Sequence, residues 1–272
     1  MKEDASPRSS GTPGLASASL VDGLLEVTLA RPPLNELGLE LLGELEGLVA
    51  RLPDAQGLLL TSALPGGFSA GADLRALHAA IAARGHAAVV DDVRAFLGRI
   101  GAALTAIDAW PGPTCAAVHG VVFGGGLELM LACDLRVADR TARFAFPELR
   151  LGLVPGFGGL ARLLRDVGQG HARELLLTGR SLNATRARDA GLVGQVTAPG
   201  AHVDVARRAV RQAMRQDPEA LAAAKRLFKR PERLADDLAA EVDTFCALFA
   251  RPEVARALEA FAARTDALPY LP

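Results

Sequence analysis

Cysteine, aromatic side chains and unbalanced charge are all scarce in this chain of 272 residues. The three cysteines, Cys115, Cys133 and Cys246, are odd in number, widely spaced and free of any CxxC or Cys/His ligand pattern. That excludes a disulfide framework and a zinc module, and it reads as reduced thiols in a reducing compartment. His78, His86, His119, His171 and His202 are scattered without ligand spacing, so no metal site is expected. His119, just after a buried strand, reads as structural. Formal net charge is −1 and no block of Lys and Arg stands apart from balancing acids. Nucleic acid and anionic membrane are therefore excluded as main partners, although a local basic pocket is not. No run approaches the ~18 apolar residues of a membrane span. Met1 to Ser17 has no apolar signal core and carries Glu3 and Asp4, unlike a transit peptide. Rich in Ser, Gly and Pro, that stretch reads as a disordered tail, and the protein as cytoplasmic.

What is present is enough apolar sequence for a core. Half the residues are hydrophobic and 22% are charged, which fits a packed protein of one large domain or a core with an appendage. Leu25–Leu29, Gly57–Thr61, Thr114–Val118, Leu135–Ala138 and Ala142–Phe146 read as strands. Leucines at helical spacing over Leu34–Leu52 predict a helix, and Leu74–Ile107 predicts a long one broken near Gly85. Repeated strand–strand–helix units give an α/β core with its strands mostly covered. Beyond Gly200 strands stop and helices are expected over Val203–Arg215, Pro218–Lys229 and Arg233–Phe249. Val205, Ala206, Ala209, Val210, Ala213 and Met214 make one apolar stripe at helical spacing, the all-helical tail as a whole suggests an assembly surface, and Lys225 and Lys229 read as part of a solvated face.

The segment Gly124-Gly125-Gly126-Leu127-Glu128 carries the clearest chemistry. Three glycines after a strand allow a tight turn and a close backbone approach to a ligand, and they leave amides free at a helix start. Phosphate or a developing oxyanion would fit; the Lys-Ser/Thr of a phosphate loop is missing. Glu128 sits in a helix that is apolar on nearly every side, so it is either a buried acid with a task or a first-turn Glu that complements the helix dipole. Glu148, after Pro147, is either an ordinary helix opening or a second carboxylate held out of water between Phe144–Phe146 and Leu149–Val154. In Phe68-Ser69-Ala70-Gly71-Ala72-Asp73-Leu74, a small-residue loop leaves amides available and Asp73 can cap the next helix.

Together, and in this order, these segments resemble the motifs of the crotonase (enoyl-CoA hydratase/isomerase) superfamily. So do Pro155-Gly156-Phe157-Gly158-Gly159, Leu177-Thr178-Gly179 and Ala190-Gly191-Leu192-Val193, and the resemblance runs from about Leu20 to Arg264. It implies a crotonase-like spiral of ββα turns over residues 18–200 and a helical trimerisation region over 201–272, giving a homotrimer or homohexamer. It implies an acyl-CoA thioester as substrate, with CoA part of the substrate and no separate cofactor or metal. The oxyanion-hole amides would be those of Ala72 and Gly125, and the catalytic carboxylates Glu128 and Glu148. Ala70, Arg75 and Arg264 would meet CoA, Arg75 standing where a Lys is common. Because both glutamates are kept, the resemblance points to hydration of a 2-enoyl-CoA. An enoyl-CoA isomerase or specialised dehydratase is the alternative enzyme, and a catalytically silent assembly subunit the alternative outside catalysis. Phe157 departs from the usual small residue and is expected to reshape the acyl pocket.

Overall fold

A computed structural model describes residues 15–264. The tail expected over Met1–Ser17 lies outside the described residues as far as 14, whereas Ala16 and Ser17 already pair with Leu29 and Thr28 in a strand. In chain order come β1 (Ala16–Val21), β2 (Leu24–Leu29), α1 (Leu39–Val49), β3 (Gly57–Ser62), β4 (Gly67–Ser69), α2 (Leu74–Arg84), α3 (His86–Ala109), β5 (Thr114–Val118), β6 (Val121–Phe123) and α4 (Gly125–Leu131). Then follow β7 (Leu135–Asp139), β8 (Arg143–Ala145), α5 (Gly159–Thr178), β9 (Leu182–Asn183), α6 (Ala184–Asp189) and β10 (Gln195–Thr197). The described chain closes with α7 (His202–Ala213), α8 (Pro218–Lys229), α9 (Pro231–Phe249) and α10 (Pro252–Ala262).

The larger sheet runs β1-β2-β3-β5-β7-β10 and the smaller β4-β6-β8-β9. Each of the pairs β3/β4, β5/β6 and β7/β8 sends one strand to each sheet, and successive turns stack in parallel. This is the spiral of ββα turns. Its consequence for function is simple: the chain leaves β4, β6 and β8 side by side, so residues just after these three strands meet at one edge of the smaller sheet.

Burial on both faces explains the unbroken apolar runs of β3 and β5, every residue of which is buried. The two-residue alternation divides each strand between two cores. Leu58 and Leu60 join the main core, while Leu59 packs with Cys115, Val137, Ala206 and Val210. The apolar stripe of α7 is thus consumed inside the chain. Met214 lies so near Gly57 that a β-carbon there would come within 2.7 Å of its sulfur.

Lys225 and Lys229 correct the solvated face read from the sequence, being 4% and 5% exposed. Lys225 Nζ donates to Asp134 Oδ2 (2.7 Å) and the Gly112 carbonyl (2.6 Å), and Lys229 Nζ reaches Asp108 Oδ1 (2.6 Å) and Asp134 Oδ1 (2.9 Å). Helix α8 turns its lysines inward and leaves Leu227 and Phe228 exposed at 75% and 58%. The helix expected from Leu34 begins only at Leu39, because Asn35 takes a left-handed φ of 51°. Its buried side chain donates to Ser62 Oγ and the Phe68 carbonyl, tying this segment to β3 and β4.

Candidate active site

After β4, the loop 70–73 is held against the segment before α1: the Leu37 amide donates to the Gly71 carbonyl and the Asp73 amide to the Leu37 carbonyl. Asp73 caps α2 through the Ala76 amide, as read from the sequence. Gly71 has φ of +90°, and a β-carbon there would lie 2.8 Å from the Gly125 nitrogen and the Phe123 carbonyl oxygen. Only glycine lets the two loops approach so closely. The loop therefore brings the Ala72 amide beside the turn after β6. There Gly124 (φ 49°) donates to the Ala145 carbonyl and Gly125 opens α4. Neither the Ala72 nor the Gly125 amide donates to another described residue.

Glu128 lies one turn into α4 and is 2% exposed. Its Oε1 accepts from the amides of Phe157 and Gly159, each at 2.7 Å. Glu148 follows Pro147 at the end of β8 and opens a short 3-10 turn, Glu148–Leu151. Its Oε1 lies over Gly124, and its Oε2 has no hydrogen-bond partner among the described residues.

Ala70, Ala72, Gly124, Gly125, Glu128 and Glu148 all line one cavity of about 530 Å³. Its further wall is apolar, from Leu74 and Leu77 of α2, Val93, Phe96 and Leu97 of α3, and Phe157. Phe157 packs edge-on to Phe96, with ring centroids 5.8 Å apart, and its ring lies 2.3 Å from where a Gly125 β-carbon would stand. Arg75 and Arg264 do not line the cavity. Arg75 stacks over Phe261 and donates to the carbonyls of Ala262 and Arg264 (3.2 and 3.3 Å), so the two arginines meet at the end of α10. Among the described residues no group of three His, Cys, Asp or Glu side chains is placed to hold a metal.

A family sequence model described as enoyl-CoA hydratase/isomerase matches residues 20–268. The chain belongs to the enoyl-CoA hydratase/isomerase family. It is similar to enoyl-CoA hydratase domain-containing protein 2 of Mus musculus, 39% identical over 204 residues, with 72% of this chain and 66% of the relative covered. It thus spans slightly under two thirds of that relative's length. It is also similar to the 2,3-dehydroadipyl-CoA hydratase of Escherichia coli, 34% identical over 245 residues, covering 88% and 91% of the two chains. Among solved structures, an enoyl-CoA hydratase from Bacillus halodurans superposes with a TM-score of 0.81 at 26% identity, covering 91% of this chain and all of that one.

In this family member the two glutamates are not ordinary surface acids. Burial pushes Glu128 well up, repulsion from Glu148 and then Glu241 adds to it, and the amides of Phe157 and Gly159 oppose it. Burial pushes Glu148 up to about 8, its own backbone amide opposes this, and repulsion from Glu241 adds to it. Such groups titrate as a set, and at neutral pH they cannot all be charged. Two backbone amides, those of Phe157 and Gly159, oppose burial at Glu128 and only its own amide does so at Glu148, which favours the charge on Glu128. Glu148, with an oxygen lacking any partner, is the natural holder of the shared proton. Two carboxyl groups that share a proton therefore face the same cavity as two amides that no other described residue engages. That is enough to add or remove a proton beside a carbonyl while holding charge on its oxygen.

Three residues of this environment escape the sequence reading. Arg162 is fully buried and donates to the carbonyls of Phe157 and Gly158, clamping the loop whose amides hold Glu128. Asp108 holds Arg162 in turn, through a 3.4 Å contact. Glu241, on α9, is buried near both glutamates, yet in sequence it stands among Asp236, Asp237 and Asp243 like any acid of a solvated helix. The apolar neighbours Ala240 and Val242 were the only local sign.

Proposed function

We propose that the protein is an enoyl-CoA hydratase, adding water across the 2,3 double bond of a 2-enoyl-CoA. The observation that carries this reading is the convergence of two buried glutamates and two unengaged amides on one largely apolar cavity. The hydratase names of the mouse and Escherichia coli relatives support it. So does the retention of both carboxylates, one of which is often changed in members that isomerise or hydrolyse.

The reaction follows from the groups present. Water held at Glu128 attacks C3 and passes its proton to that carboxylate. The double-bond electrons shift toward C1, and charge gathers on the thioester oxygen, where the Ala72 and Gly125 amides donate to it. Removing one such donor typically costs ~10²–10³ in rate. The enolate then takes the Glu148 proton at C2, completing the 3-hydroxyacyl thioester. Glu128 ends protonated and Glu148 charged, and one proton exchange with solvent resets the pair. The addition is redox-neutral and the amides polarise the carbonyl, so neither a metal nor a redox cofactor enters. The α2–α3 wall and Phe157 receive the acyl chain. Arg75 and Arg264 offer positive charge to the CoA phosphates, and the protein assembles as a trimer or hexamer.

Incubation with crotonyl-CoA tests the reading, with loss of enoyl absorbance as the expected result. A protein inert toward crotonyl-CoA but active on a 3-enoyl-CoA would be an isomerase.

A further inference from the structure

Glu241 is 7% exposed, and no step above uses it. Its Oε1 accepts from the Ala161 amide (2.5 Å) in the first turn of α5. The same turn begins with Gly159, whose amide donates to Glu128. One helix end is thus gripped by two carboxylates, from α9 and from α4. We propose that Glu241 is a positioning residue, which fixes the turn whose amide holds Glu128 and places a third carboxylate behind the glutamate pair. The proposal rests on the hydratase reading for the reaction it serves.

The second oxygen argues for more than a structural tie. Glu241 Oε2 is buried with no hydrogen-bond partner among the described residues. A glutamine oxygen would accept from Ala161 equally well, so holding the helix does not itself call for an acid, and leaving a carboxylate oxygen bare in the interior is costly. What the acid adds is negative potential. A third carboxylate makes full ionisation of Glu128 and Glu148 harder, so one proton stays in the group.

The charges facing Glu241 agree with this. Glu128 of α4 and Glu148 feel its repulsion, Arg162 of α5 offsets it, and Asp237 on α9 itself adds to it. Asp108 of α3 pairs with Arg162, Arg94 of α3 pairs with Asp243 at the exposed side of α9, and Glu253 of α10 pairs with Arg251 and Arg256.

The test compares the parent with Glu241→Gln and Glu241→Ala in two readouts. One is hydration kcat and KM between about pH 5 and 9. The other is infrared titration of the protonated carboxyl bands, assigned by their loss in Glu128→Gln and Glu148→Gln. Glu241 is itself pushed up to about 7, so its charge acts above that pH, and in Glu241→Gln the alkaline limb of the rate profile and the bands that titrate there should move to lower pH, with the acid limb little changed. Glu241→Ala also frees the α5 turn, so its kcat should fall by ~10-fold or more with KM little changed. A folded Glu241→Gln protein whose limbs and bands coincide with the parent's overturns the electrostatic role, and parental kcat in Glu241→Ala overturns the positioning role. Should the parent fail to hydrate any enoyl-CoA, the hydratase reading falls, while the infrared titration still decides whether Glu241 acts on Glu128 and Glu148.

Discussion

The Oε1 atom of Glu148 lies 2.7 Å from the point that a β-carbon on Gly124 would occupy. Gly124 also has φ of +49°, which other residues rarely adopt. A methyl group there would both strain the turn after β6 and push the Glu148 carboxyl away from the cavity. Gly124→Ala should therefore lower kcat by ~10² or more while leaving the circular dichroism spectrum unchanged, since a shift of about 1 Å in a reacting group has such effects. Parental turnover in that variant would show that Glu148 is not placed by this contact.

Stability should depend on pH through the same carboxyls. Glu148 is pushed up to about 8 and Glu241 to about 7 from an ordinary 4.5, burial being the first cause for both. With folded values raised, their contribution to stability is fully present below pH 4.5 and is lost as pH rises through 7 to 8, because the unfolded chain releases these protons more easily. Glu148→Gln should accordingly melt above the parent at pH 8, with a smaller difference at pH 5. Calorimetry at the two pH values checks this; an equal difference at both contradicts it.

The lysines of α8 offer a test of the buried ion network. Lys229 touches both Asp108 and Asp134, and Asp108 also holds Arg162 and Arg165. Lys229→Met leaves buried carboxylates short of a cation and should destabilise the fold by about 3 kcal/mol or more in urea unfolding. A lysine on a solvated face would cost within about 0.5 kcal/mol.

Assembly is a separate expectation. Leu227 and Phe228 are large, adjacent and exposed, so α8 carries an apolar face that the other described residues leave uncovered. Sedimentation at micromolar concentration should show a trimer or hexamer, and a monomer there would contradict this.

How far the sequence was legible follows from what local patterns can express. The runs of β3 and β5, the break at Gly85 and the glycine turns before Glu128 were readable, because each depends on residues adjacent in the chain. The stripe of α7 was also readable, but periodicity says that a face is apolar and not what covers it; here the cover is the larger sheet. Lys225 and Lys229 misled because their partners, Asp134 and Asp108, come from distant segments. For the same reason Glu241 passed as a surface acid. Asn35 interrupted a helix that the leucine spacing predicted, since its side-chain bonds to Ser62 and Phe68 exist only once β3 and β4 are in place. The resemblance brought Glu128, Glu148, Ala72 and Gly125 into view together; their convergence on one cavity is a matter of three strands ending side by side.

The assignment of roles to the two glutamates is the centre of the account, and Gln is the substitution that keeps size while removing the titrating oxygen. Glu148, as proton carrier at C2, should be needed both for hydration and for solvent exchange of the C2 hydrogen in a bound saturated acyl-CoA. Glu128, which receives the water proton, should be needed chiefly for hydration. The decisive measurement is crotonyl-CoA hydration alongside C2 exchange followed by NMR in Glu128→Gln and Glu148→Gln. The account predicts that Glu148→Gln loses both activities and Glu128→Gln mainly hydration, each by ~10² or more. A Glu128→Gln protein that hydrates crotonyl-CoA at the parental rate would contradict it.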